Sequence, residues 1–110
     1  MEFIKVIDKA ELPPNKMVIV MVSGKEVLLA NVEGSYYAIA NTCTHAGGSL
    51  AQGSLEGSIV TCPRHGARFD LKSGQAVGEA KIAFLKMRVK DEKKYEVKVE
   101  GTDILVGKPE

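Results

Sequence analysis

Two cysteines and two histidines are the residues of this chain best suited to chemistry, and they form two short groups. One residue separates Cys43 from His45, and two residues separate Cys62 from His65. All four lie between Asn41 and Asp70, and the sequence contains no other cysteine or histidine. Thiolate and imidazole are both ligands for transition metals. The repeated pair therefore predicts a metal site.

Glycine follows each pair of candidate ligands. Gly47 and Gly48 come shortly after His45, and Gly66 comes directly after His65. Glycine allows the backbone to approach a metal centre closely and to aim amide N–H groups at its sulfur ligands. Structural zinc is the competing interpretation, because two cysteines and two histidines can bind zinc tetrahedrally. Common zinc motifs use a Cys-x-x-Cys knuckle or two histidines on a helix, and neither is present here.

The segment from Asn41 to Asp70 resembles the binding motif of Rieske iron–sulfur proteins, which is Cys-x-His, a spacer of similar length and Cys-x-x-His. The resemblance implies one [2Fe-2S] cluster, with Cys43 and Cys62 on one iron and His45 and His65 on the other. Two neutral imidazoles in place of two thiolates make the oxidised centre formally neutral, so it accepts an electron more easily than an all-thiolate cluster. We expect the added electron to reside mainly on the histidine-ligated iron.

The resemblance also assigns the residues around the cluster. Rieske subunits of respiratory and photosynthetic complexes have two further cysteines that bridge the ligand loops, and Gly48 and Arg64 take those positions here. The same subunits use a serine and a tyrosine hydroxyl to stabilise the cluster, and Ala67 and Phe69 take those positions. Because each missing donor removes stabilisation of the reduced cluster, we expect a potential toward the roughly −150 mV end of the Rieske range. The residues predicted next to the cluster are Ala46, Gly47, Gly48, Arg64, Gly66, Ala67 and Phe69.

Among Rieske proteins, the chain is most similar to the soluble ferredoxins that serve multicomponent oxygenases. This likeness implies a one-electron carrier and not an enzyme. An NAD(P)H-linked flavoprotein reductase would reduce it, and a terminal oxygenase of the ring-hydroxylating type would oxidise it. His45 and His65 would lie at an exposed tip where the partner docks. Arg64 and Arg68 could steer an acidic partner there, or serve only as solvated loop residues.

Two other functions stay open on the sequence alone. One is a non-redox binding module stabilised by zinc, and the other is a small Rieske-like subunit of a reductase complex. A Rieske oxygenase would need a second, mononuclear iron site, and no histidine or cysteine remains to build one.

Length and charge favour one small domain, residues 1–110, with residues 41–70 as its cluster-binding segment. The 15 basic and 14 acidic residues nearly balance, and this argues against nucleic acid as the main partner. The N-terminus has early charges and no long apolar stretch, so we expect no secretory signal. The longest strongly apolar run, Met17 to Val22, is too short to span a bilayer. These features predict a cytoplasmic protein without a membrane anchor.

Short apolar runs separated by glycine turns predict an all-β fold, a Rieske-like antiparallel sandwich or barrel whose cluster-binding subdomain consists of two ligand loops. We expect strands over Phe3–Ile7, Met17–Val22, Glu26–Val32, Ser35–Ala40, Ser58–Thr61, Phe84–Lys90, Lys94–Glu100 and Asp103–Val106. Residues Ala67 to Leu71 are expected to lead out of the second ligand loop. A polar loop is expected from Ser49 to Gly57.

Three finer expectations concern the positions of side chains. Met17 and Met21 are predicted to fill the core. Tyr36 and Tyr37 should point to opposite faces of one strand, one into the core and the other to the surface. Alternation within Lys94–Glu100 predicts a single continuous strand.

Overall fold

Short antiparallel strands form nearly all the regular structure in a computed structural model that describes residues 1–43, 48–64, 66–77, 80–82, 85–87 and 90–108. Within these ranges there are twelve strands, two single-turn 3-10 helices and no α-helix. The strands are β1 (Phe3–Asp8), β2 (Lys16–Val22), β3 (Lys25–Val32), β4 (Ser35–Ala40), β5 (Ser54–Glu56), β6 (Ile59–Thr61), β7 (Arg68–Asp70), β8 (Ala80–Ile82), β9 (Leu85–Met87), β10 (Lys94–Tyr95), β11 (Val97–Glu100) and β12 (Asp103–Gly107). The predicted all-β class is confirmed.

The described strands form four sheets. The largest has the order β10-β4-β3-β2, and a second brings the two ends of the chain together in the order β1-β12-β11. A third sheet, β5-β6-β7, contains the second predicted ligand loop, and β8 and β9 form a separate hairpin. Every neighbouring pair is antiparallel.

Two tight hairpins set the register of the largest sheet. Ser23 and Gly24 join β2 to β3 with φ values of 52° and 78°, and Glu33 and Gly34 join β3 to β4 with φ values of 51° and 95°. Positive φ at both central residues is the mark of a type I′ turn, whose twist matches that of the flanking strands. The predicted glycine turns are therefore confirmed at both positions.

The sheet of β2, β3 and β4 separates two hydrophobic cores. Along β3, Val27 and Leu29 face one core, while Leu28 and Ala30 face the other. We call the first the distal core; its buried members are Leu12, Val20, Val22, Val27, Leu29, Ala38, Tyr95, Ile104 and Val106. We call the second the cysteine core; its buried members are Leu28, Ala30, Ile39, Cys43, Leu50, Val60, Cys62, Ala67, Phe69 and Leu71.

Strand β2 is less buried than its apolar composition predicts. Met17 packs against the cysteine core, but Met21 is 55% exposed. The prediction that both methionines fill the core is therefore wrong for Met21. The reason is that β2 forms the edge of its sheet, and the cysteine core does not extend beneath this end of the strand.

Tyr36 and Tyr37 point to opposite faces of β4, as predicted. Both are half-buried, however, because Tyr36 packs against the distal core and Tyr37 packs against the cysteine core. The expectation that one of them is a surface residue is wrong, since both faces of β4 are covered.

The segment from Lys94 to Glu100 changes sheets instead of forming one strand. Strand β10 pairs with β4, whereas β11 pairs with β12. The predicted loop from Ser49 to Gly57 also contains regular structure, a 3-10 helix over Leu50–Gln52 and the strand β5. Of the predicted strand Phe84–Lys90, residues 85–87 and 90 are described, and the remainder lies outside the described residues.

Burial raises the pKa of Tyr95 above its ordinary value of 10.0. The unfolded chain gives up this proton at lower pH, so the contribution of Tyr95 to stability should fall as pH rises from the ordinary value toward the folded pKa. An alkaline titration of tyrosinate absorbance should show a component that develops above the ordinary tyrosine range. We expect Tyr95→Phe to remove that component, and its persistence in the variant would contradict the assignment.

Candidate metal centre

The two cysteines are buried, form no disulfide and belong to the same core. Cys43 is 2% exposed and Cys62 is 1% exposed. Each belongs to the cysteine core, together with apolar side chains from β3, β4, β6 and β7. This arrangement supplies two thiolate donors from different segments of the chain in a shielded environment.

The two predicted ligand loops are closed in the same way. The backbone N–H of Cys43 donates to the carbonyl oxygen of Gly48 at 2.8 Å, and that of Cys62 donates to the carbonyl oxygen of Ala67 at 2.7 Å. In both loops the acceptor lies five residues after the cysteine. Each thiol thus stands at the base of a short loop that contains one histidine. His45 and His65, together with Ala46 and Gly47, lie outside the described residues.

Paired backbone holds the base of each loop. Thr42 and Ser49 form an isolated antiparallel bridge around the first loop. Thr61 and Arg68 pair across β6 and β7 around the second. Within the second loop, Gly66 has a φ of 73° and donates its N–H to the carbonyl of Cys62 at 3.2 Å. This left-handed conformation favours glycine.

Asn41 fixes the start of the first loop through hydrogen bonds from its own fully buried side chain and backbone. Its Nδ2 donates to Oε1 of Glu26 at 3.1 Å and to Oγ of Ser49 at 2.8 Å. Its Oδ1 accepts the N–H of Ala51 at 2.9 Å, and its backbone carbonyl accepts that of Leu50 at 2.9 Å. Sequence reasoning identified Asn41 only as the residue that opens the loop, and its buried position was the missing information.

The residues predicted to replace two hydroxyl donors are buried beside the cysteines. Ala67 and Phe69 are 1% and 0% exposed, and both belong to the cysteine core. Ala76 also packs against this core and forms a bridge with Phe69. Its N–H donates to Oδ1 of Asp91 at 2.8 Å, so a third segment of chain is held against the core.

The structure brings Gly48 and Arg64 together, one from each ligand loop. A methyl group at the Gly48 Cα would stand 3.1 Å from Cγ of Arg64. Arg64 and Arg68, both predicted to face a partner, are exposed. The two positions that the resemblance places across from each other are therefore neighbours in space.

The structure is an all-β protein with two buried cysteines at the bases of two short loops. Its sequence matches the Rieske [2Fe-2S] domain over residues 2–86. This chain belongs to the Rieske [2Fe-2S] domain family. It binds a single Rieske-type cluster and transfers electrons, and it is not an enzyme in its own right.

Similar proteins are ferredoxins of dioxygenase systems. The chain is 38% identical over 96 residues to the ferredoxin component of the naphthalene 1,2-dioxygenase/salicylate 5-hydroxylase systems of Ralstonia sp, covering 87% of this chain and 86% of the relative. The ferredoxin of carbazole 1,9a-dioxygenase from Nocardioides aromaticivorans IC177 has a TM-score of 0.86 and 32% identity, covering 99% of this chain and 100% of that one. A chain in the complex of reduced oxygenase and oxidised ferredoxin of carbazole 1,9a-dioxygenase has a TM-score of 0.80 and 26% identity, covering 94% and 91%.

The donors that the structure describes fit the cluster of this family. Two cysteines in one apolar core, neither in a disulfide, match the requirement for cysteine ligands, and each has a loop-closing hydrogen bond that holds its backbone in place. In the part of the chain that the structure describes, no helix is long and apolar enough to cross a membrane.

Proposed function

We propose that this ferredoxin carries single electrons from an NAD(P)H-dependent flavoprotein reductase to a terminal oxygenase of the ring-hydroxylating type. The main observation is the pair of buried cysteines at the bases of two equally closed loops. The similar proteins support the choice of partner, since they are ferredoxin components of dioxygenase systems and one is a chain of an oxygenase–ferredoxin complex.

The proposed ligands are Cys43, Cys62, His45 and His65, with the cysteines on one iron and the histidines on the other. When bound, the cluster accepts one electron and passes it on. The chain keeps the two thiols away from water and holds each loop by its own backbone bond. Burial of the cysteines leaves the histidine side of the centre as the side for a partner to approach.

The exposed arginines define the charge of the proposed docking face. Arg64 lies in the second ligand loop and Arg68 begins β7 directly after it. Two positive charges beside this loop would attract an acidic partner surface and increase the rate of encounter at low ionic strength. We infer that His45 and His65 belong to the same face.

We also propose that residues 1–110 act as one domain, with residues 41–70 as its cluster-binding segment, and that the protein works in the cytoplasm. The two cores support a single domain because they share β3 and β4.

Visible absorption and low-temperature EPR before and after dithionite test the proposed centre. We expect a coloured protein with about two iron and two sulfide per chain, whose reduced form has an average g clearly below that of a free electron. An NAD(P)H-linked flavoprotein reductase should then reduce it, and an oxygenase should reoxidise it. A colourless protein that contains zinc and resists iron and sulfide reconstitution would overturn the proposal in favour of a zinc module.

Ala67→Ser should raise the reduction potential, because a hydroxyl at this buried position can donate to the more negative, reduced cluster. A hydrogen bond to a charged group contributes about 1.5–3 kcal/mol. If about half of this free energy is the difference between the reduced and the oxidised cluster, the one-electron reduction potential rises by roughly 30–65 mV. Potentiometric titration followed by EPR measures the change.

Ala40→Ser is the matched control for this potential shift, since Ala40 packs against the distal core on the other side of the sheet. Its potential should equal that of the wild type, which we expect near roughly −150 mV. An equal shift in both variants, or none at Ala67, would contradict the explanation.

A further inference from the structure

We propose that Arg64 is a positioning residue that holds the two ligand loops together by laying its side-chain stem over Gly48. Arg64 belongs to the second loop, and Gly48 closes the first. A Cβ at Gly48 would stand 3.1, 3.2 and 3.3 Å from Cγ, Cδ and Nε of Arg64. Three consecutive atoms of the stem therefore lie against the bare Cα of Gly48. The inference rests on the proposed function insofar as these loops hold the metal.

The contact joins a buried glycine to an exposed arginine. Gly48 is buried although it lies in a loop, whereas Arg64 is exposed. We infer that the arginine stem contributes to the burial of Gly48 while the charged head stays in solvent, as long cationic side chains commonly do.

Gly48 is also the residue on which the first loop closes. Its carbonyl oxygen accepts a hydrogen bond from the N–H of Cys43 at 2.8 Å, and Cys43 belongs to the cysteine core. Backbone bonds close each loop on itself, whereas the Arg64 side chain joins one loop to the other. We infer that this contact limits separation of the loops, and so limits access of water and chelators to the thiolate ligands.

Three arginine variants distinguish the contribution of the apolar stem of Arg64 from the contribution of its charge. Arg64→Ala removes both, Arg64→Met keeps an apolar stem, and Arg68→Ala removes a neighbouring exposed charge that belongs to β7. The readout is the rate at which the holoprotein loses its visible absorbance in the presence of excess chelator, with the EPR spectrum and the potential recorded beside it.

We expect Arg64→Ala to lose its metal on the order of tenfold faster than the wild type. A tenfold change in rate corresponds to the free energy of burying about two methylenes. Arg64→Met should remain within about twofold of the wild type, and Arg68→Ala should match it. The inference is overturned if Arg64→Ala is no faster than Arg68→Ala. It is equally overturned if Arg64→Met is as fast as Arg64→Ala, because the stem would then contribute nothing.

Gly48→Ala provides a second and independent test. Gly48 does not have a left-handed φ, so its backbone tolerates alanine and the added methyl meets only Arg64 among the nearest atoms. In the wild-type background this methyl should displace the stem and speed metal loss several-fold. In the Arg64→Ala background it should have no such effect, because the stem is gone. Equal effects in both backgrounds would overturn the inference.

The same rates separate this inference from the proposed function. Metal release can be measured whichever metal the loops bind. If the protein binds zinc, the electron-carrier proposal fails, but the rates of metal loss from the Arg64 and Arg68 variants still test the role of Arg64. Conversely, an Arg64→Met protein that keeps its cluster but transfers electrons slowly to an oxygenase would support both the stem contact and a docking role for the charge.

Discussion

Cys62→Ala should yield a folded protein without its cluster. The thiol is 1% exposed and is the proposed ligand from the second loop, so alanine removes a donor with little change in the shape of the core. Loss of a residue beside a metal ligand typically weakens metal binding 10- to 100-fold, and loss of the ligand itself should therefore exceed about 100-fold. Iron and sulfide content per chain and the visible spectrum measure this directly. Cys43→Ala should behave in the same way.

Thr61→Ser is the matched control, because it removes one methyl group from the half-buried residue next to Cys62. It should keep a normal cluster. Circular dichroism should show the same strand content in both variants, since the distal core contains no residue of the metal site. His45→Ala and His65→Ala extend the test to the histidines, and a wild-type spectrum in any of the four ligand variants would refute the ligand set.

Asn41→Ala should lower the free energy of unfolding by about 2–4 kcal/mol, the effect of leaving one or two buried polar groups without partners. The melting temperature should fall by roughly 10–20 °C for a domain of this size. The reason is that the Asn41 side chain bonds Glu26, Ser49 and Ala51 while it is fully buried. Alanine leaves the N–H of Ala51 without its acceptor and opens the first ligand loop at its base. Thermal unfolding of the holoprotein measures the loss.

Asn31→Ala separates a general loss of stability from an effect on the loop. Asn31 is also buried and makes two side-chain bonds, from Nδ2 to the carbonyl of Leu12 at 2.9 Å and from the N–H of Gly34 to Oδ1 at 2.7 Å. Its side-chain partners, Leu12 and Gly34, lie outside residues 41–70. We expect both asparagine variants to melt earlier, but only Asn41→Ala to release its cluster faster at temperatures where the chain is still folded. Equal release from both variants would argue against a local role for Asn41.

The parts of this fold that the sequence predicts are those decided by local chemistry. Ser23-Gly24 and Glu33-Gly34 each suit the left-handed backbone of a tight hairpin, so the central strands and their register follow from neighbouring residues. The metal site is predicted for a similar reason, since its donors are rare residue types at short spacings.

The parts that the sequence does not predict depend on contacts between distant residues. Strands β10 and β11 form a continuous alternating pattern, and alternation cannot reveal that the chain changes sheets at Glu96. Met21 lies in an apolar run that predicts burial, yet the edge position of β2 leaves it exposed. The partners of Asn41 lie up to 15 residues away, and no local pattern marks them.

The division of β3 between two cores has a consequence for how the cofactor enters the protein. Leu29 packs among residues that include none of the metal ligands, while Leu28 packs beside both cysteines. The distal half can therefore consolidate before any iron arrives, because its apolar contacts do not require the cluster. The cluster is then inserted into a protein whose distal half is already folded. Strand β4 leads into the first ligand loop and β6 and β7 flank the second, so this scaffold holds a cysteine from each loop in one core.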